Sequence, residues 1–258
     1  MLRDYQIEMK TRLMEAWKAH RSVMVQMPTG TGKTHLLASV VSEFVSSAGS
    51  GVWLIAHRRE LVAQMEETLA KYGIRREDTP VRVMSVQWLS RHWNEAGDAP
   101  GLIVIDEAHH ALAASYTEMW KRYPAAKKLG VTATPCRLNR RGFTELFEVL
   151  VTSWSIAEFI EKGVLSVFDY VSIRPGSEEQ RLIDGLEKRG ADGDYQVKEM
   201  DAVLNRRPGI ERLYRSVRQF ASGKKGMVYA ISIEHARRIA EYYSCLLYTS
   251  PSPRDYGE

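Results

Sequence analysis

Gln26-Met27-Pro28-Thr29-Gly30-Thr31-Gly32-Lys33-Thr34 is the stretch whose reading decides the fold. An apolar run, Val23-Met24-Val25, precedes it and reads as a short buried strand. After it, Leu36, Leu37, Val40, Val41 and Phe44 recur at the spacing of one helical face. Strand, glycine-rich turn and helix form the setting that a phosphate-binding loop requires. Gly30 and Gly32 let the backbone curl until successive N–H groups point into one concavity. The helix adds its unpaired N-terminal N–H groups and the positive end of its dipole. In such a loop Lys33 reaches the β- and γ-phosphates and Thr34 ligates Mg²⁺. Thr29, Gly30, Thr31 and Gly32 complete the nucleotide-binding set, while Met27 holds the place of the general loop's first glycine.

The chain has 258 residues, 44% hydrophobic and 26% charged, which suits a globular protein of one large or two smaller domains. No apolar run approaches the length of a membrane span, and none follows Met1-Leu2-Arg3 as a secretory leader requires. A net charge of +4 permits nucleic-acid binding without arguing strongly for it. The two cysteines, Cys136 and Cys245, form neither a disulfide framework nor a metal pattern. A reducing, cytoplasmic setting is expected.

Residues 2–19 read as an amphipathic helix opened by Arg3-Asp4-Tyr5-Gln6. An amide just upstream of a phosphate loop suits an adenine edge, because it donates and accepts; taken alone, Gln6 reads as a surface glutamine. Val52 to Ala56 forms the next strand, and His57-Arg58-Arg59-Glu60 turns into a helix reaching about Lys71. Those arginines stand where open α/β sheets bind ligands, or simply solvate a helix start. Val81 to Ser85 is a strand, and Val86-Gln87 begins a helix. Gly101 to Ile105 is a fully buried strand ending in Asp106-Glu107-Ala108-His109. Paired carboxylates at the end of an apolar strand are costly unless used. Asp106 suits Mg²⁺, and Glu107 suits orienting and deprotonating an attacking water. The competing reading is a helix cap with an acidic first turn. Ala111 to Tyr123 reads as helix, and Leu129 to Pro135 as a strand entering a turn where Thr132 and Thr134 are placed to bond the acidic segment. Strand and helix alternate five times, which predicts an α/β fold with a mostly parallel sheet, helices on both faces and the site at the strands' C-terminal edge.

Together these segments resemble the first motor domain of superfamily 2 helicases and translocases of the DEAD/DEAH-box type, in their bacterial or phage form. The resemblance rests on Arg3-Asp4-Tyr5-Gln6, residues 27–34, His57 to Gln64, Ser85-Val86-Gln87, Asp106-Glu107-Ala108-His109 and Thr132-Ala133-Thr134, in the family's order. It implies a RecA-like P-loop domain, adenine binding by the segment of Arg3 and Gln6, and catalysis by Lys33, Asp106 and Glu107. It further implies nucleic-acid contacts at Arg58, Arg59, Ser85 and Gln87, and coupling of hydrolysis to strand movement through His109, Thr132 and Thr134. ATP and Mg²⁺ are the implied cofactors and nucleic acid the implied partner, DNA in preference to RNA, with no membrane and no obligate protein partner. A nucleotide-dependent switch that binds nucleic acid without unwinding it is the alternative function. A P-loop kinase or transport ATPase is disfavoured, having no use for Ser85-Val86-Gln87 or Thr132-Ala133-Thr134.

The domain expectation is a first RecA-like domain over residues 1–150, a bridge over 151–207 and the start of a second RecA-like domain over 208–244. Phe143 to Val151 reads as helix then strand, Val167 to Ile173 as an exposed-edge strand, and 178–199 as helix, loop and helix. Pro208 to Ala221 reads as a basic helix, Lys224 to Ala230 as the second domain's first strand, and Ser232 to Tyr243 as its helix. Cys245 to Asp255 matches a translation of the adapter used in transposase-based sequencing libraries, so 245–258 is expected to be a non-native tail. The family's last motifs, which carry an arginine finger, would then be missing, and weak activity is expected.

Overall fold

The computed structural model describes residues 2–57, 59–110, 114–135, 144–172, 176–190 and 195–249. The chain divides into two compact units, residues 1–167 and 168–258. The first opens with α1 (Asp4–Ala19), β1 (Ser22–Gln26), α2 (Lys33–Ala48), β2 (Val52–Ala56) and α3 (Glu60–Ala70). It continues through β3 (Val81–Ser85), α4 (Val86–Leu89), β4 (Leu102–Asp106), α5 (Ala114–Arg122), β5 (Lys127–Thr132), β6 (Val149–Thr152) and α6 (Ile156–Glu161).

Six parallel strands form one sheet in the order β3-β2-β4-β5-β1-β6. The apolar strands are buried on both faces, as parallel sheets require. Successive residues point to opposite faces. Val23, Val25, Val52, Leu54, Leu102 and Val104 pack with Leu13 of α1, Leu37 and Val41 of α2 and Met65 of α3. Met24, Trp53, Ile55, Ile103 and Ile105 pack on the other side with Leu89 of α4 and Tyr116 and Met119 of α5. Each fully buried side chain of this size stabilises the fold by about 1.5–3 kcal/mol. Gly130 in β5 marks a tight approach: a Cβ there would stand 2.5 Å from Phe147 Cζ and 2.8 Å from Ala108 Cβ.

α2 ends at Gly49, whose left-handed φ of +60° closes the helix at little cost. β6 extends the sheet beyond β1, with Val149 beside Val23 and Thr152 beside Gln26. α6 follows at once, because Ser155 and Glu158 cap its start reciprocally. Its Phe159 packs edge-on against Tyr5 of α1, centroids 5.0 Å apart. The expected helix after Phe143 is replaced by a turn at Thr144 to Leu146, and residue 143 lies outside the described residues.

The second unit contains α7 (Ser177–Asp184), α8 (Val197–Leu204), α9 (Arg207–Phe220) and α10 (Ile233–Thr249). α9 meets α10 through Tyr214, which packs edge-on with Tyr242 and Tyr243 at 5.8 and 5.0 Å. Two expected strands do not form among the described residues: 167–172 and 224–230 have no strand pairing. A strand exists through its neighbour's N–H and C=O groups. Neither segment has such a neighbour, and Val167, Tyr170, Met227 and Tyr229 stand at least three-quarters exposed. No helix among the described residues is long and apolar enough to cross a membrane.

Candidate active site

Gln26, Ala56, Ser85, Asp106 and Thr132 are the last residues of β1 to β5. Register sets Gln26 beside Thr132, Asp106 beside Val131 and Ala56 beside Ser85. One edge of the sheet therefore carries almost every residue singled out in the sequence, where open α/β sheets bind ligands. Arg58 lies outside the described residues.

The phosphate loop leaves β1 with the Met27 N–H donating to Thr132 O at 3.0 Å. Gly30 and Gly32 take φ of +84° and +79°, conformations that carry a steric cost for other residues. The Thr31 hydroxyl donates to Pro28 O at 2.7 Å and closes the curl. Lys33 and Thr34 form the first turn of α2, and Lys33 Nζ rests 3.4 Å from Met27 O inside the loop.

α1 clamps this loop from behind. Gln6 is almost fully buried; its Nε2 donates to Thr31 O and Gly32 O, both at 3.1 Å, and its Oε1 accepts from Arg3 N at 2.9 Å. The Tyr5 hydroxyl donates to Thr31 O at 2.9 Å. The sequence gave no sign of this bond. Its one clue was position, directly before Gln6.

Opposite the loop, Glu107 takes φ of +50°, the one positive value among the described non-glycine residues. That conformation costs about 1–2 kcal/mol and is held by its surroundings. The Glu107 N–H donates to Asp106 Oδ1 at 3.0 Å. His109 Nδ1 lies 2.9 Å from Thr132 Oγ1 and 3.3 Å from Glu107 Oε2. Thr132 Oγ1 spends its own hydrogen on Thr134 O, so His109 Nδ1–H donates to Thr132 Oγ1, with the Glu107 carboxylate beside it. Thr132 Oγ1 in turn donates to Thr134 O and accepts from Thr134 N, each at 3.1 Å. The acidic turn after β4 and the threonine turn after β5 are thus joined through His109.

Burial, followed by the adjacent Glu107 carboxylate, pushes the Asp106 carboxyl above its ordinary range. The Glu107 N–H, Lys33 and His109 pull it back in part. A cation beside the two carboxylates would offset both the desolvation and the repulsion and favour the ionised form. The curled glycine loop and Lys33 have the chemistry of an anion site, so these residues fit a nucleotide with Mg²⁺.

Ser85 and Gln87 stand at the end of β3. Ser85 Oγ accepts from Trp88 N at 3.2 Å and caps α4, while Gln87 Nε2 donates to His57 O at 2.7 Å. Arg59 is exposed at the start of α3.

A RecA-like P-loop domain of superfamily 2 helicase type is the class that this sheet and strand-end site define. The chain belongs to the family described as "Type III restriction enzyme, res subunit", which matches residues 1–137, more than half its length. It is 26% identical over 222 residues to the 51.5 kDa protein of a Lactococcus phage, covering 85% of this chain and 46% of that protein. It is 28% identical over 205 residues to the DNA 3′–5′ translocase XPB2 of Sulfurisphaera tokodaii, covering 73% and 44%. The chain therefore spans less than half the length of these curated relatives. Among solved structures, a nuclease-deletion mutant of the Type ISP restriction-modification enzyme LlaGI, in complex with a DNA substrate mimic, aligns with the whole chain and 28% of its own. The TM-score is 0.53 at 12% identity, a likeness of fold.

Proposed function

We propose that the chain carries the ATP-binding half of a nucleic-acid-stimulated ATPase that moves along or separates strands, acting on DNA. The observation that carries this reading is the link from Glu107 through His109 to Thr132, set opposite a glycine-curled phosphate loop. A hydrolytic carboxylate tied by one imidazole to the next strand's turn suits a site that reports its state elsewhere. The name of the XPB2 relative, a DNA translocase, favours DNA.

Bound Mg²⁺–ATP supplies a polarised γ-phosphoryl group open to attack by water. Lys33 would neutralise phosphate oxygens, and the Thr34 hydroxyl and Asp106 would hold the cation. Glu107 orients the attacking water and takes its proton. His109, hydrogen-bonded to Thr132 and 3.3 Å from the Glu107 carboxylate, transmits any shift of that carboxylate to the threonine turn. Arg59, Ser85 and Gln87, with Arg58, contact the nucleic-acid backbone.

Single-turnover ATP hydrolysis, measured alone and with duplex DNA, single-stranded DNA and RNA, tests the reading. DNA accelerates hydrolysis on this account; equal rates with and without every nucleic acid would overturn it.

A further inference from the structure

A groove of about 1290 Å³ runs along the side of the sheet, beside its outermost strand β3. It begins at Ser85 and Gln87 on the strand-end edge and continues past Arg82, well below that edge. Four exposed guanidinium groups line it, from Arg59, Arg76, Arg82 and Arg91, against the two carboxylates Glu66 and Glu95. Among the described residues, none of these four side chains makes an ion pair or hydrogen bond. The Arg82 guanidinium lies over Gly97, where a Cβ would come within 2.6 Å of Cζ.

The groove also holds an aromatic platform. Trp88, more than a third exposed, stacks on His92 with centroids 4.8 Å apart and planes 11° from parallel. His92 Nδ1–H donates to Trp88 O at 2.8 Å, which fixes the lower ring. A phosphodiester chain needs spaced cations, and an unpaired base needs a flat, pre-positioned π-face. A paired base, stacked inside a duplex, has no face to offer.

We propose that this groove guides one unpaired nucleic-acid strand, its phosphates on Arg76, Arg82 and Arg91 and a base stacked on Trp88. The proposal rests on the nucleic-acid reading above and extends it from the strand-end edge to the side of the sheet. The groove thereby gives the domain a preference for single-stranded over blunt duplex nucleic acid.

The test measures binding of fluorescein-labelled oligothymidylate to the 258-residue chain, beside a blunt duplex of equal length and a polyglutamate competitor. Trp88→Ala weakens oligothymidylate binding about tenfold, the effect of losing one base stack. Trp88→Phe restores most of it, and duplex binding changes less than twofold. Arg82→Gln with Arg91→Gln lowers the slope of log affinity against log salt by about 1.4, about 0.7 for each charge. ATP binding stays unchanged in every variant, which reports an intact fold. Oligothymidylate affinity that ignores all these substitutions overturns the groove alone. Displacement by polyglutamate as effective as by oligothymidylate overturns it in favour of an acidic peptide beside β3. Failure of the wild-type chain to bind any nucleic acid overturns this inference and the proposed function together.

Discussion

Replacing Gln6 by alanine separates two roles for that residue. The family resemblance assigns it to adenine, yet its amide is engaged within the domain, with Thr31 O, Gly32 O and Arg3 N at 2.9–3.1 Å. Three hydrogen bonds are lost, each contributing about 0.5–1.5 kcal/mol net. The low end applies to the two carbonyls: Thr31 O keeps the Tyr5 hydroxyl, and Gly32 O keeps the N–H groups of His35 and Leu36. The expected loss is therefore about 2 kcal/mol. For a unit of 167 residues that lowers Tm by about 4–8 °C. The loosened loop then binds ATP and GTP less well by the same factor. Calorimetry without nucleotide, followed by titration with each nucleotide, reads both effects. An unchanged Tm together with a loss confined to ATP would refute the clamp and favour adenine recognition.

Thr132→Val removes the hydroxyl that joins His109 to Thr134 while keeping the side chain's shape, so ATP binding survives and acceleration by DNA is lost; stimulated and unstimulated rates read this, and retained stimulation counts against the coupling route. Gly130→Ala forces a methyl against Phe147 and Ala108 and lowers stability by about 1–3 kcal/mol, measured by denaturant unfolding; wild-type stability would mean that Phe147 yields freely. Asp106→Asn removes a carboxyl whose folded value is raised, mainly by burial. Such a group favours folding below the ordinary carboxylate value and loses that contribution as pH rises through its raised value. Without Mg²⁺, the Asn variant gains stability relative to wild type as pH climbs from acid to neutral, and a Tm difference independent of pH would contradict the assignment.

The sheet was legible because its signal is local. Apolar runs such as Val52 to Ala56 and Gly101 to Ile105 need no partner to identify them as strands buried on both faces, and the polar residues that follow mark the strand ends. The same reasoning fails for Val167 to Ile173 and Lys224 to Ala230. Alternation describes a chain willing to pair, and pairing needs a neighbour that residues 167–172 and 224–230 lack among the described residues. The Glu107 backbone conformation was equally hidden, since a glutamate at that position gives no sign of a left-handed φ. The arginines at 76, 82 and 91 carry no periodic signal. They become a set only when α3, β3 and α4 surround one groove. The link between His109 and Thr132 lies between these extremes: both belong to recognisable segments, but the hydrogen bond depends on β4 and β5 being neighbours.

Glu107→Gln measures the central claim most directly. Glutamine keeps the size and a hydrogen-bonding oxygen but cannot take a proton from water. Fluorescent-ATP binding and single-turnover hydrolysis are measured on the variant beside wild type and Lys33→Ala. The account predicts near wild-type binding with hydrolysis abolished for Glu107→Gln, and loss of binding for Lys33→Ala. Hydrolysis by Glu107→Gln at the wild-type rate would contradict it.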